Sequence, residues 1–420
     1  MPAFLLTRNS YLGVLAVVLW ATPALAAQEA TLTFERALTL AERTAPENLS
    51  QQAQVASADQ ALLPADALPD PKLILGIDNL PIEGPDRYTL NRDVMTMRRI
   101  GLMQEVPNGD KRLARRQLAT ATLTRAEAEQ RAMVLETKRQ TAQSWLDVHY
   151  AERSVALFDQ LDQQVALLRS TVQAMIAGSS AQAGELLQAD QEALTLADRR
   201  DELRRDAAIA RAKLRRWIGD EARLPLAGTP PPLSLDIPDL PHRLAEHPEL
   251  HVASARVGEA NAELAEAVAE KKPDWSVEFA YNNRDNQFGD MAMLQFTFDL
   301  PMFVGSRQGP RINAKQHSVA QMEAEQEALL RAHQAELESG MAELEQLRKA
   351  LDRTERIFIP LASKRADLEL TAYKAGNSQL TTVIAARREL IEAQLRQIEQ
   401  QRKLSQLSAS LYYAYVEPLK

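Results

Sequence analysis

The sequence predicts a mainly helical protein with a small β part. It reads as long coiled-coil helical hairpins plus four β-strands per chain, arranged as two internal repeats. Three observations predict this. No proline occurs between Pro107 and Pro225, and apolar residues there step by three and four: Phe158, Leu161, Val165, Leu168, Val172, Met175. That is a heptad seam. Short segments after two Pro-Asp pairs alternate apolar and polar residues, the pattern of strands. The order of these features occurs twice.

The chain opens on an address. Residues 1–26 carry one charge, Arg8, followed by the apolar run Tyr11–Trp20 and the small-residue pattern Ala24-Leu25-Ala26. This is the signature of a secretory signal peptide. The run is shorter than the roughly 20 residues of a membrane span. The protein is therefore expected to be exported, and to enter a membrane only as strands.

Composition narrows the class. The chain has 420 residues, no cysteine, 5% aromatics and a net charge of −8. Zero cysteine excludes a disulfide scaffold, a thiolate metal site and a cysteine nucleophile. The acidic balance argues against nucleic acid as a partner. The Arg-rich stretch from Arg199 to Arg216 is interleaved with acids and reads as a solvated helix face paired at i,i+4.

The repeat units are 27–223 and 242–420, joined by a Pro-rich linker at 224–241 where Pro225, Pro230, Pro231, Pro232, Pro238 and Pro241 forbid helix. Leu40-Ala41-Glu42 precedes a helical stretch ending at Pro69-Asp70; Leu244-Ala245-Glu246 precedes another ending at Pro273-Asp274. A strand pair follows in each half, at 72–106 and 275–300. A long helical segment comes next, broken by Gly178-Ser179-Ser180 in the first half and Gly376-Asn377-Ser378 in the second. Glycine followed by Ser or Asn ends a helix and turns the chain. Each half thus holds a helical hairpin, with tips near 178 and 376. The second carries its own seam, Ile384, Ile391, Leu395, Ile398, Leu404, Leu407, Leu411, and a kink is expected at Pro360.

The strands alternate cleanly in the second half: Trp275, Val277, Phe279 and Tyr281 against Ser276, Glu278, Ala280 and Asn282. In the first half Met95–Val106 changes phase near Arg98-Arg99, the mark of a bulge. Alternation alone fits a soluble two-sided sheet as well as a barrel wall. Four strands cannot close a barrel, and an open edge in lipid leaves backbone groups unpaired. Three copies would give twelve strands, an even number within the known range.

The motifs in this order resemble the TolC-like outer-membrane efflux family. They are Leu32-Thr33-Phe34-Glu35-Arg36-Ala37-Leu38, both Pro-Asp-to-strand junctions, and Tyr373-Lys374-Ala375-Gly376-Asn377-Ser378. The stretch Leu68-Pro69-Asp70-Pro71 to Asn79-Leu80-Pro81, then Met95-Thr96-Met97-Arg98, Gln104-Glu105-Val106-Pro107 and Gly109-Asp110-Lys111-Arg112, is similar to the heavy-metal-efflux branch. The resemblance implies a homotrimer in outer-membrane lipid, its long hairpins forming an α-barrel and its four transmembrane β-strands per chain contributing to a trimeric twelve-stranded β-barrel. It implies a periplasmic adaptor (membrane fusion protein) and an inner-membrane RND pump as partners, and heavy-metal cations as substrates. It places adaptor docking at Gly178 and Gly376, with Tyr373 and Leu380 flanking the second glycine. Ala174 stands where Tyr373 does in the other repeat. Family members often carry an acid after the tip glycine; Glu185 fills that place in the first repeat, and Leu380–Ile384 has none.

Glu278 and Asp299 fall on the polar side of their strands, where rings of carboxylates would favour cations in a lumen. No catalytic constellation, phosphate loop or zinc-protease helix is present, so no enzyme and no cofactor is expected. His242, His247 and His251 form the tightest histidine group. His247 and His251 have i,i+4 spacing, but Pro248 places His247 ahead of the helix, so the pair is not expected to be a metal site. Met95, Met97, Met103, Met291 and Met293 offer soft sulfur, though such methionines more often fill apolar gaps. The competing reading is a soluble periplasmic coiled-coil adaptor or scaffold. It explains the hairpins but not two strand pairs with aromatic ends.

Overall fold

The computed structural model describes residues 31–178, 182–233, 235, 240–285 and 287–416. The expected signal peptide lies outside the described residues, as do the side chains of Leu161, Val165, Leu168 and His242. The first half runs α1 (Phe34–Thr44), α2 (Pro46–Leu62), β1 (Lys72–Asp78), β2 (Met97–Val106), α3 (Gly109–Ala177) and α4 (Ala183–Ile218). The second runs α5 (Leu240–Ala245), α6 (Pro248–Ala269), β3 (Trp275–Asn283), β4 (Met291–Phe298), α7 (Gln308–Arg353), α8 (Ile359–Lys374) and α9 (Leu380–Tyr415). The two halves carry the same order of elements.

Local chemistry sets the boundaries. Thr33 caps α1 by accepting the Arg36 N–H, 3.2 Å. Pro46 and Pro248 occupy first-turn positions of α2 and α6, where a missing N–H costs nothing. Asn108 caps α3 by accepting the Lys111 N–H, 2.8 Å. Leu40-Ala41-Glu42 lies in the last turns of α1, directly ahead of α2, and α2 stops at Leu62, well short of Pro69.

α3 has 69 residues, about 100 Å at 1.5 Å per residue. α4 folds back against it, and the ion pairs give the antiparallel register: Arg169 with Asp190 at 2.9 Å near the tip, Arg204 with Asp159 at 3.6 Å lower down. α9 runs antiparallel to α8, with Arg365 to Glu389 at 2.6 Å. It also packs on α3, where Arg402 reaches Asp147 at 2.7 Å. Phe158 and Val172 of the predicted first seam are buried, as are Ile391, Ile398 and Leu411 of the second. The second seam also buries Ala386, Ala393 and Ala409, small residues that let helices approach closely.

Pro360 acts through a widened turn. Thr354–Phe358 is a π-helical turn, and the Ile359 N–H reaches the Thr354 carbonyl. Proline clashes with the carbonyl four residues before it. Widening the preceding turn accommodates that clash while the helical path continues from α7 to α8.

The main core fastens the chain's start to α3. Leu32 pairs in parallel with Leu226, so part of the Pro-rich linker is a β-bridge. Trp145 of α3 is fully buried beneath this bridge. It packs edge-on against Phe34 at 5.4 Å, stacks on His149 at 5.3 Å, and donates to the Leu32 carbonyl at 3.3 Å.

The four strands form one antiparallel sheet in the order β1-β2-β3-β4. The register of β2 is unbroken through Arg98 and Arg99 on both sides, so the expected bulge is absent. The phase change arises because Arg98 occupies the otherwise apolar face and Arg99 the polar one. Asp299 lies past the end of β4. Its N–H donates to the Asp274 carbonyl at 2.9 Å, which carries the β3–β4 pairing one residue past the strand's end.

Asp274 is the knot at which sheet and helices meet. Its carboxylate accepts from the Asn108 backbone at 2.8 Å, the Asn108 side chain at 2.9 Å and Lys111 Nζ at 2.7 Å. Burial alone would raise this carboxyl, but the bonds from Lys111 and Asn108 outweigh it and hold it below the usual carboxylate range. The sign of the pH effect follows. Stability from Asp274 is complete above the unfolded value near pH 4 and is lost as pH falls through the lower folded value. Asp274→Asn is expected to cost about 1.5–3 kcal/mol at neutral pH and to flatten the acid limb of a stability-versus-pH curve, measured by circular-dichroism melts. An unchanged acid limb would remove the Asp274 knot as its cause.

Candidate functional site

The sheet is inverted relative to a soluble one. Strand pairing places Leu73, Leu75, Ile77, Ile100, Leu102, Phe279, Leu294, Phe296 and Phe298 on one face. These side chains are 51–68% exposed. Glu278, Ala280 and Asn282, on the opposite face, are buried. Among the described residues no helix packs extensively on either face; the sheet's main neighbours are its own strands. A buried polar face, with a contiguous apolar face exposed, is the arrangement of a barrel wall in lipid. In water such a patch would demand a partner. Among the described residues, no helix is long and apolar enough to cross a membrane.

Glu278 does not stand alone on the inner face. Arg99 Nη2 forms an ion pair with Glu278 Oε1, and Arg99 Nη1 lies 3.6 Å from Asp78. Arg99 also approaches the Met293 sulfur at 3.8 Å. Met97, Met103, Met291 and Met293 share this face by register, whereas Met95 lies in the preceding loop. Glycine at 101 makes the fit possible: a Cβ there would sit 3.0 Å from both Ala280 Cβ and Glu278 Oε1. The sequence singled out Glu278 as an acid but carried no sign of its basic partner 179 positions away.

The two helical tips pack on each other. Val172, Ala189, Tyr373, Leu380 and Val383 form one buried cluster. Tyr373 Oη donates to Glu185 Oε2 at 2.6 Å. The other carboxylate oxygen, Oε1, accepts from the Gln182 N–H at 3.4 Å, at the start of α4. Both oxygens of Glu185 are thus engaged in holding the tips, and burial together with Glu185 pushes the Tyr373 phenol well up. Tyr373 and Leu380 are buried, while Gly178 and Gly376 are exposed. The second tip closes as a Schellman turn: Asn377 N–H to the Ala372 carbonyl at 2.8 Å, Gly376 N–H to Tyr373 at 2.9 Å. Gly376 there has φ 75°, a left-handed conformation that favours glycine. Gly178 has φ −85° and carries no such requirement.

The histidines are paired differently from their spacing. His247 caps α6, its Nδ1 accepting the Glu249 N–H at 3.2 Å, as Pro248 implied. His251 is exposed on the helix. The ring that meets His247 is His333 of α7, with centroids 3.8 Å apart.

A four-stranded sheet with an exposed apolar face, set on helical hairpins of this length, defines the class: the chain has the fold of the outer-membrane channel proteins. Its structure is similar to that of a membrane protein from Pseudomonas aeruginosa, with TM-score 0.79, 18% identity, and 91% of this chain and 92% of that one covered. It is similar to CusC, which forms a transmembrane channel, with TM-score 0.76, 17% identity and 91% of each chain covered. It is also similar to the outer-membrane protein VceC from Vibrio cholerae, with TM-score 0.76, 15% identity, and 92% and 97% covered. In sequence it is 29% identical over 191 residues to the pyoverdine export outer membrane protein OpmQ of Pseudomonas putida. That match spans 41% of this chain and 37% of the relative. No protein-family model matches the sequence.

Proposed function

We propose that this chain is the outer-membrane channel of a tripartite efflux system, not an enzyme. Three copies pool their sheets into one twelve-stranded barrel, and their hairpins continue it as a helical tube into the periplasm. The single observation that carries this reading is the inverted sheet. Its outer face is apolar and exposed, and closure with further copies satisfies the free edges of β1 and β4. The chain is a passive conduit. An inner-membrane RND-type pump supplies energy, and a periplasmic adaptor docks at the tips through the exposed turns at Gly178 and Gly376, while the buried Tyr373 and Leu380 hold those turns together. The repeated order of elements supports reading 27–223 and 242–420 as two copies of one unit, with the linker at 224–241 between them. Resemblance of the β1–β2 region to the heavy-metal branch assigns cations as the substrate class.

Fractionation tests the location. The expressed protein is expected in the dense outer-membrane fraction, resistant to a carbonate or urea wash and trimeric on crosslinking. Release by the wash would replace this reading with the soluble adaptor. Deletion of the gene is expected to sensitise cells to heavy-metal cations; unaltered metal tolerance with raised sensitivity to organic compounds would move the substrate class.

The tips are the proposed gate, opened by a shift of packed helices. The Tyr373–Glu185 bond is then a latch. A hydrogen bond to a charged group contributes about 1.5–3 kcal/mol, so Tyr373→Phe is expected to raise the open fraction in planar-bilayer recordings by about tenfold. Recordings indistinguishable from the parent would show that the latch lies elsewhere.

A further inference from the structure

We propose that His247, Glu249 and His333 form a binding site for a borderline divalent transition-metal ion, with Zn2+ as its type. The site lies in the helical body, where the start of α6 meets α7 and the end of α9. It belongs neither to the sheet nor to the tips, so the ion would be resident and not cargo.

The geometry is that of a ligand set drawn slightly open. One ligating atom from each of the three residues lies within 4.8 Å of the others. A tetrahedral shell with bonds of about 2.0–2.1 Å separates its ligands by about 3.3 Å, which modest side-chain rotation reaches. His333 is the sharpest clue. It is 6% exposed, and its Nε2 comes within 3.2 Å of Glu249 Oε2 yet is aligned for a hydrogen bond with no group among the described residues. Its other nitrogen, Nδ1, faces Tyr415 Oη at 3.4 Å and Glu336 Oε2 at 3.6 Å. Those two oxygens can hold the proton on Nδ1, which leaves the Nε2 lone pair aimed at a carboxylate. A lone pair and a carboxylate at that distance repel; a proton on Nε2 or a metal ion held by both relieves the repulsion. Outer partners that fix the tautomer in this way are a regular feature of metal-bound histidine.

Charge and access agree with the geometry. The three side chains border a cavity of about 130 Å³ that Glu136, Arg139 and Glu336 also line. Glu136 grips Arg139 through two bonds, at 2.6 and 2.9 Å, which neutralises that guanidinium. Glu249 and Glu336 remain, a charge of −2 that matches a divalent ion. Glu249 is exposed and opens the site to solvent. Two imidazoles and one carboxylate suit zinc and its neighbours in preference to hard calcium or soft monovalent copper. Coordination by His247 would displace its cap on Glu249, so binding reshapes the first turn of α6.

The test uses purified full-length protein in detergent, with Zn2+ titrated by competition against a chromogenic chelator and Co2+ as a spectroscopic substitute. The expected result is one Zn2+ per chain, with an intense tetrahedral Co2+ absorption. Losing an outer partner of a metal ligand costs roughly 10–100-fold in affinity, so His247→Ala and His333→Ala are expected to weaken binding on the order of 100-fold or more. His251→Ala, on the exposed face, is expected to bind like the parent. Should the alanine variants misfold, His333→Gln keeps the volume, and the parent Co2+ spectrum needs no variant. Absence of stoichiometric binding, an octahedral Co2+ spectrum, or affinity indifferent to His333 would each overturn the proposal. None of these outcomes bears on membrane location, which the fractionation decides separately.

Discussion

Phe279→Arg is expected to remove the protein from the outer membrane. Phe279 sits near the middle of β3 on the apolar face, 58% exposed, flanked by Leu102 and Leu294 across the two pairings. An arginine on the lipid face at the bilayer midplane costs about 2–4 kcal/mol. A trimer repeats the change three times, so the penalty on assembly is on the order of 6–12 kcal/mol by the same measure. That is comparable to the whole stability of an ordinary domain. Gln295→Arg is the control: β4 register places it with Glu278 on the polar face, where a charge meets water. The measurement is the share of each variant in the washed outer-membrane fraction, set against total accumulated chain. Near-complete loss for Phe279→Arg with retention of Gln295→Arg is expected. Equal retention of both would mean the apolar face meets protein instead of lipid.

Trp145→Ala is expected to have the largest effect on the helical body. The side chain is fully buried. It joins the bridge at Leu32, the first helix through Phe34, and α3 itself. Truncating a buried aromatic costs about 3–5 kcal/mol, because the space it leaves collapses only in part. The Leu32 carbonyl keeps the Ala227 N–H at 3.2 Å, so most of the loss is packing and little is an orphaned acceptor. Trp145→Phe retains part of the volume and is expected to lose less than half as much. Urea unfolding followed by circular dichroism reads both. A loss below about 1 kcal/mol for the alanine variant would show that this core is not what fastens the chain's start to α3.

What could be read in advance had a local cause. Heptad steps from Phe158 to Met175, and from Ile384 to Leu411, report the period of the helix, and that period is written in neighbouring residues. Alternation from Trp275 to Asn282 reports the period of a strand in the same way. Asn108, Pro248 and the Gly376 turn act within a few residues of themselves. Pro360 announced a disturbance, but only the packed helix showed it to be a π turn.

Partners were another matter. Glu278 was visible as an acid on the polar side of a strand; that Arg99 neutralises it depends on β2 lying beside β3. Asp299 kept the strand's alternation; its bond to Asp274 depends on β4 lying beside β3. Glu185 and Tyr373 were each noted singly, and the bond between them exists because two hairpin tips pack together. The spacing of His247 and His251 carried no sign of His333, whose ring meets His247 from a different helix.

The sequence by itself determined the helices, the strands, the turns between them and the apolar face of each, because periodicity and backbone conformation are local. Only the tertiary structure decided which charge meets which, which imidazoles meet and which face of the sheet is left bare. Those pairings span 86 to 188 positions, and close packing, not spacing along the chain, brings such groups within bonding distance.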